Sequence, residues 1–309
     1  MTYTKPTTEA EKQAAREASQ EITATLLQNI NTRLEMLADQ LGKGASEELL
    51  SFMRFSAQFY TYSMNNQLLI WQSAPAARYV AGFHDWRAKG RSVVKGAKAV
   101  RILAPLTVLD REAAPGPDGR HPAKVVGFKY VSVFADYDTE GDPLPSSDFL
   151  TVRGGDEQTR VMLGDLSRAA PVPVEWQTDE RNAAHGWTDG GKIVLNRPKC
   201  TAEPAHAVRV FFHEWAHVAL HFQSAGKRAE DCPDRKTREL EADAAAYVLS
   251  HFHGVNAAPQ VADYITNWGG DPAKLRASLT RIQRAVSQIM ASLEHYREAQ
   301  QQMVTEAAD

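Results

Sequence analysis

The sequence predicts an α+β protein in two domains, and three observations carry that prediction. Apolar residues fall at helical spacing early in the chain, give way to a Val/Ile/Leu-rich stretch over 92–134, and then return mostly to helical spacing. Between the last two textures, residues 138–147 (DTEGDPLPSS) have the chemistry of a loop and set the expected boundary. Hydrophobic residues make up 43% and charged residues 24% of the chain, so each half has material for its own core. The expected domains are 1–145, helical with a β-hairpin, and 146–309.

Within the first domain, Ile22, Leu26, Ile30, Leu34 and Leu37 form one stripe and predict a helix over 9–41. A second helix is expected from Ser46 through Phe55, Phe59, Tyr60 and Tyr62, and a short third over 65–72, stopped by Pro75. Residues 92–109 read as strands and 125–134 as their partner, joined by a Pro/Gly-rich tip at 113–122. In the second domain a helix is expected near 157–169, a strand at 172–177 and a hairpin about Asp189-Gly190-Gly191 that leads into a strand at 192–196. A helix over 205–222 precedes a charged loop, and the remainder is mostly helical. Leu275, Leu279, Ile282, Val286, Ile289 and Leu293 make the final stripe, which predicts core packing.

Bulk properties exclude several classes. The formal net charge is −3, so any nucleic-acid binding must come from a local patch rather than from the whole molecule. Two cysteines, Cys200 and Cys232, are too few for a disulfide framework and fit unpaired thiols in a reducing compartment. The opening MTYTKPTTEAEKQAAREASQ has no apolar signal core, and no stretch is apolar enough to span a bilayer. The expectation is a cytoplasmic protein with no membrane partner.

Chemistry concentrates at His213-Glu214-Trp215-Ala216-His217. Two histidines four apart lie only ~40° from each other on a helix and one turn apart, so both imidazoles can reach one zinc ion. Glu214, beside the first, is placed to act as general base toward a water that the metal acidifies. Val208, Val210, Phe211, Phe212, Val218, Ala219 and Leu220 give the helix the apolar flanks of a buried site. His221 lies on the same face, but at about 12 Å along the axis from His213 it cannot share an ion with both. The third ligand is therefore sought in Arg238-Glu239-Leu240-Glu241-Ala242-Asp243. Glu239 and Asp243 share a helical face, with Glu241 about 200° from Glu239. This favours Glu239 as the ligand and Asp243 as a residue orienting an imidazole, with Glu241 as the fallback and Cys200 as a weaker rival. The strand 192–196 (KIVLN) is a candidate edge strand for an extended peptide.

A second feature is basic. Arg78, Arg87, Lys89, Arg91, Lys95, Lys98 and Arg101 are opposed by Asp85 alone, with Tyr60, Tyr62, Trp71, Tyr79, Phe83 and Trp86 among or just before them. Cations that track phosphates and aromatic faces that stack bases are what single-stranded nucleic acid requires. A solvated basic surface over an aromatic core would read the same way.

Several of these segments together resemble a family. Tyr62-Ser63-Met64-Asn65-Asn66-Gln67-Leu68-Leu69-Ile70, Val80-Ala81-Gly82-Phe83 with Trp86, Gly90-Arg91, Val94-Lys95-Gly96, and Val133-Phe134 with Thr139-Glu140-Gly141 are similar to the N-terminal domain of ArdC-type antirestriction proteins. The HEWAH helix followed by Glu239-Leu240-Glu241-Ala242-Asp243 resembles that family's metallopeptidase domain, whose acidic segment runs Glu-x-x-Ala-Glu. The match favours Glu239 over Glu241, and Asp243 departs from the usual Glu. The resemblance implies a single-stranded-DNA-binding domain joined to a gluzincin-like zinc domain, in a protein that shields incoming plasmid DNA from restriction. It implies zinc, or manganese in its place, with His213, His217 and Glu239 as ligands and Glu214 as the catalytic residue. For DNA it implies Tyr62, Asn66, Trp71, Trp86, Arg87, Lys89, Arg91, Lys95 and Lys98. The partners are then single-stranded DNA and an unidentified protein substrate. Two other readings share these motifs: a DNA-coating protein whose metal is structural or regulatory, and a repressor-cleaving peptidase.

Overall fold

The structure, a computed structural model, describes residues 8–116, 119–144, 156–179, 184–200, 203–255 and 261–306. Parts of the expected tip (117–118) and of the expected boundary loop (145–147) lie outside the described residues. Helices and strands are mixed, as expected. In chain order, α1 (Glu9–Gly42), α2 (Glu47–Ser56) and α3 (Met64–Ser73) come first. β1 (Val80–Ala81), α4 (Phe83–Ala88), β2 (Arg91–Val93), β3 (Val100–Leu109), β4 (Ala123–Ala135) and β5 (Thr139–Gly141) follow. Next are α5 (Asp156–Ala169), β6 (Val174–Gln177), β7 (Gly186–Thr188), β8 (Ile193–Asn196) and α6 (Arg197–Cys200). The chain continues with α7 (Pro204–His221), β9 (Phe222–Ser224), β10 (Lys227–Arg228), α8 (Arg235–Phe252), α9 (Val261–Trp268) and α10 (Pro272–Glu306).

The chain divides into two compact units, but not by a single cut at residue 145. One unit joins Met1–Arg33 to Asn65–Pro143; the other joins Leu34–Met64 to Leu144–Asp309. The physical reason lies in where the segment 34–64 buries its apolar side chains. Ala38 O accepts from Gly270 N at 2.7 Å, Arg54 Nη1 donates to Tyr247 OH at 3.0 Å, and Gln283 Nε2 donates to the carbonyls of Tyr60 and Tyr62. Leu37, Leu41, Phe52 and Met53 are buried in the same unit.

In the first unit β4 is central, pairing antiparallel with β1 and along the whole of β3. The β3–β4 ribbon runs from a buried base (Val100, Ile102, Val133) to an outer half where Leu106, Val108, Val125, Val126 and Phe128 are exposed. β2 pairs with β5, and there Gly141 at φ +135 passes so close to the Gly90 carbonyl that a Cβ would collide with it.

In the second unit the order β6-β8-β7 makes β8 the central strand. The expected edge strand is therefore an interior one: Ile193 to Asn196 are all buried, with β6 parallel on one side and β7 antiparallel on the other. Edge positions belong to β6 and β7. Helices α5, α8 and α10 pack on α7.

Candidate metal centre

Helix α7 begins with Pro204 in its first turn, where the missing N–H costs no hydrogen bond. It buries Val208, Phe211, Phe212, Trp215 and Ala216. Helix α8 is capped by Asp234, whose carboxylate accepts from Thr237 N at 3.1 Å and Thr237 Oγ1 at 2.6 Å. Further along α8, Ala242, Ala244, Ala245 and Ala246 are wholly buried, and such small side chains let packed helices approach closely. Glu239, near the start of α8, thereby meets the histidines of α7.

The donor atoms converge. His213 Nε2 and His217 Nε2 lie 3.1 Å apart, and Glu239 Oε2 lies 3.5 Å from the first and 3.4 Å from the second. Donors about 2.0–2.1 Å from a tetrahedral zinc ion stand about 3.3–3.4 Å from one another, so these separations fit three corners of such a sphere. They also suit three adjacent corners of a six-coordinate ion, whose neighbouring donors stand about 3 Å apart. Among the described residues this trio is the one His/Cys/Asp/Glu group with metal-holding geometry.

Electrostatics suit the same use. Burial, aided by the neighbouring histidines, pulls His217 down to about 4 and keeps its imidazole neutral near pH 7. Burial also pulls His213 down, but the Glu239 hydrogen bond and the charges of Glu214, Glu239 and Asp243 outweigh it and leave the group above its ordinary value. The His213 and His217 imidazoles beside it hold the Glu239 carboxyl well below the usual carboxylate range, so it is ionised. Burial pushes Glu214 up to about 7. Gly186 of β7 backs onto that residue: a Cβ there would stand 2.8 Å from Val210 Cγ1 and 3.2 Å from Glu214 Cγ.

The other carboxylates have different partners. Glu241, the fallback ligand, is fully buried and accepts from Ser278 Oγ at 2.7 Å and from Arg281 Nη2 at 2.6 Å. Asp243 does not orient an imidazole: Arg209 and Tyr264 OH take its two oxygens. Helical spacing alone puts Asp243 behind Glu239, but the tertiary partners decide where the carboxylate points. Cys200 is buried, with Sγ donating to His185 O at 3.3 Å and burial pushing its thiol up to about 11. It stands outside the donor trio.

His221 is the contributor that sequence reasoning set aside. It cannot be a ligand, but its Nδ1 lies 2.9 Å from His217 Nδ1. The available signal was its spacing of four from His217.

The candidate DNA residues separate into four groups. Arg87, Lys89, Lys95 and Lys98 are exposed on α4 and around β2. Arg91 is instead spent on structure, donating from Nε to Thr139 Oγ1 at 2.9 Å and from Nη2 to Thr139 O at 2.8 Å. Trp86 is 1% exposed, with Nε1 donating to Phe134 O at 3.0 Å; Trp71 is buried under the Arg33 guanidinium. Asn66 is buried and clips the Leu103 backbone through both ends of its amide, at 2.9 and 2.8 Å. As folded, these two tryptophans offer no face to a base, because their rings build the core. Tyr62 belongs to the other unit. Among the described residues, the exposed aromatics of the first unit are Phe83, Phe128 and Tyr137.

An N-terminal unit built on a β3–β4 ribbon and a second unit with a two-histidine, one-carboxylate corner define a mixed α+β protein with a candidate metal centre. Residues 16–134 match the family model of the N-terminal domain of the anti-restriction factor ArdC. It is 21% identical over 342 aligned positions to an uncharacterized Bacillus anthracis protein, pXO2-81, covering 95% of this chain. The chain spans 54% of the length of that relative. Among solved structures, it is similar to the antirestriction ArdC protein from the R388 plasmid. The metal-free form matches at 17% identity and TM-score 0.46, covering 76% of this chain and 86% of that one. The Mn(II)-bound form matches at 15% identity and TM-score 0.48, covering 86% and 97%.

Proposed function

We propose that this chain is an ArdC-type antirestriction protein that binds single-stranded DNA through its first unit and carries a metal-dependent peptidase site in its second, gluzincin-like unit. The observation that carries the peptidase reading is the convergence of His213, His217 and Glu239 with Glu214 next to the first ligand. His213, His217 and Glu239 would hold a zinc or manganese ion, which when bound would supply Lewis-acid chemistry toward a water and a peptide carbonyl. Glu214, next to the first ligand, is placed to take the water's proton and return it to the leaving amine. Strand β7, an edge of its sheet lying against α7, is the site at which an extended peptide would add a strand. The Gly186 position keeps that strand close to Glu214.

The test is Glu214→Gln, which keeps the ligands and removes the base. Its metal content will stay at about one ion per chain, while cleavage of a proteome-derived peptide mixture, read by mass spectrometry, falls by about 10²–10⁴-fold. Equal cleavage by both forms would remove Glu214 from the chemistry. If the variant still protects plasmid DNA from restriction, protection does not need the peptidase, and the DNA-coating reading takes its place.

Support for DNA binding comes from the exposed Arg87, Lys89, Lys95 and Lys98 together with the exposed Phe83 and Phe128. Replacing the four cations with alanine will weaken binding of an oligothymidylate. It will also lower the log–log salt slope by up to about 3, at roughly 0.7 for each phosphate that is no longer neutralised. An unchanged slope in a salt titration would place the interface elsewhere.

A further inference from the structure

One turn beyond His217, α7 carries His221, which is wholly buried. Its Nδ1 faces His217 Nδ1 at 2.9 Å, and two imidazole nitrogens at that distance share one hydrogen: one donates and the other accepts. Its other nitrogen, Nε2, makes no hydrogen bond among the described residues and faces Glu241 Oε2 at 3.7 Å. Glu241 is fully buried and already held by Ser278 and Arg281.

At the buried end of this row one placement of hydrogens suits both His221 and Glu241, whereas the other end, at half-exposed Glu239, is open to solvent. With its hydrogen on Nδ1, His221 would turn an Nε2 lone pair toward a carboxylate, two acceptors facing each other where water does not reach. With hydrogens on both nitrogens it would be a buried cation, yet Arg281 already offsets the charge of Glu241. With its hydrogen on Nε2, His221 donates toward Glu241 and accepts at Nδ1. His217 must then carry its own hydrogen on Nδ1, which leaves its Nε2 lone pair pointing to the corner shared with His213 and Glu239.

We infer that Glu241 and His221 are positioning residues that hold His217 in the one neutral tautomer whose Nε2 can bind a metal ion. The purpose of this arrangement rests on the metal reading above, but the tautomer itself belongs to the metal-free protein and can be measured there. Residues that orient a ligand histidine commonly contribute 10–100-fold to metal affinity when removed.

The experiment uses the full chain with ¹⁵N-labelled histidine, stripped of metal, and reads long-range proton–nitrogen correlations. His217 will show a protonated Nδ1 and a bare Nε2, and His221 the reverse. In His221→Phe the bias at His217 will be lost, and zinc affinity measured by chelator competition will fall about 10–100-fold. In His221→Gln a side-chain carbonyl can again accept from Nδ1–H, and both properties will recover at least in part. Finding Nε2–H or a cationic ring at His217 in the metal-free wild type overturns the proposal, as does undiminished zinc affinity in a folded His221→Phe. Should that variant fail to fold, the wild-type spectrum and His221→Gln decide. If the wild type shows the expected tautomer but takes up neither zinc nor manganese, the metal reading fails while the hydrogen-bonded row stands.

Discussion

Replacing Glu239 with alanine will cut bound metal from about one ion per chain to near none after dialysis, with the fold unchanged. Its carboxylate is half-exposed, and its polar contacts are those to His213 and His217. Truncating it therefore removes a donor without opening a core. Structural zinc sites bind with about 10–16 kcal/mol spread over their ligands, so losing one of three protein donors costs roughly 3 kcal/mol or more. That is about a hundredfold or more in affinity. Elemental analysis and chelator competition read the result, and circular dichroism shows that the fold is kept. A Glu239→Ala protein that retains a full complement of tightly held metal would mean that the ion sits elsewhere.

Glu241→Ala will behave in the opposite way: two residues along the same helix, it will damage the fold. Glu241 is a fully buried carboxylate paired to Arg281 through both oxygens and bonded to Ser278. Deleting one partner of a buried ion pair leaves an uncompensated charge and costs about 3–5 kcal/mol. Part of that is relieved here, because Arg281 keeps some contact with solvent. Domains are stable by only about 5–15 kcal/mol, so a large drop in melting temperature is expected. Glu241→Gln, which can still accept from Ser278, should lose less. Equal melting curves for Glu241→Ala and wild type would show that the pair contributes nothing.

The contrast between Glu239 and Glu241 shows what the sequence could and could not say. Helical periodicity located α1, α7 and α10, and the Val/Ile-rich runs located β3 and β4, because those patterns follow directly from which face is buried. The four-residue spacing of His213 and His217 marked the imidazole pair that converges in the structure, and spacing with Glu239 on a separate face from Glu241 named a third candidate. Where the reading failed, a tertiary partner decided. Asp243 shares a face with Glu239, yet Arg209 and Tyr264 claim it. Trp71 and Trp86 sit among cations in the sequence, but composition cannot tell a stacking face from a core ring. The short α4 left no periodic trace. For β8 the signal was available: an unbroken apolar run, Ile193-Val194-Leu195, marks a strand covered on both faces better than it marks an edge.

The interleaving of the two compact units bears on how this molecule can be dissected. The backbone passes from one unit to the other at 33/34, inside the unbroken helix α1, again at 64/65, and again at 143/144. A fragment ending near 145 would carry Leu37, Leu41, Phe52 and Met53 without the helices that cover them, as an oily, aggregation-prone appendage. The remaining fragment would be missing part of its own interior. A cut there leaves both pieces with an incomplete core, so the proposed nucleic-acid binding and peptide cleavage are best separated by point substitution in the intact chain rather than by truncation.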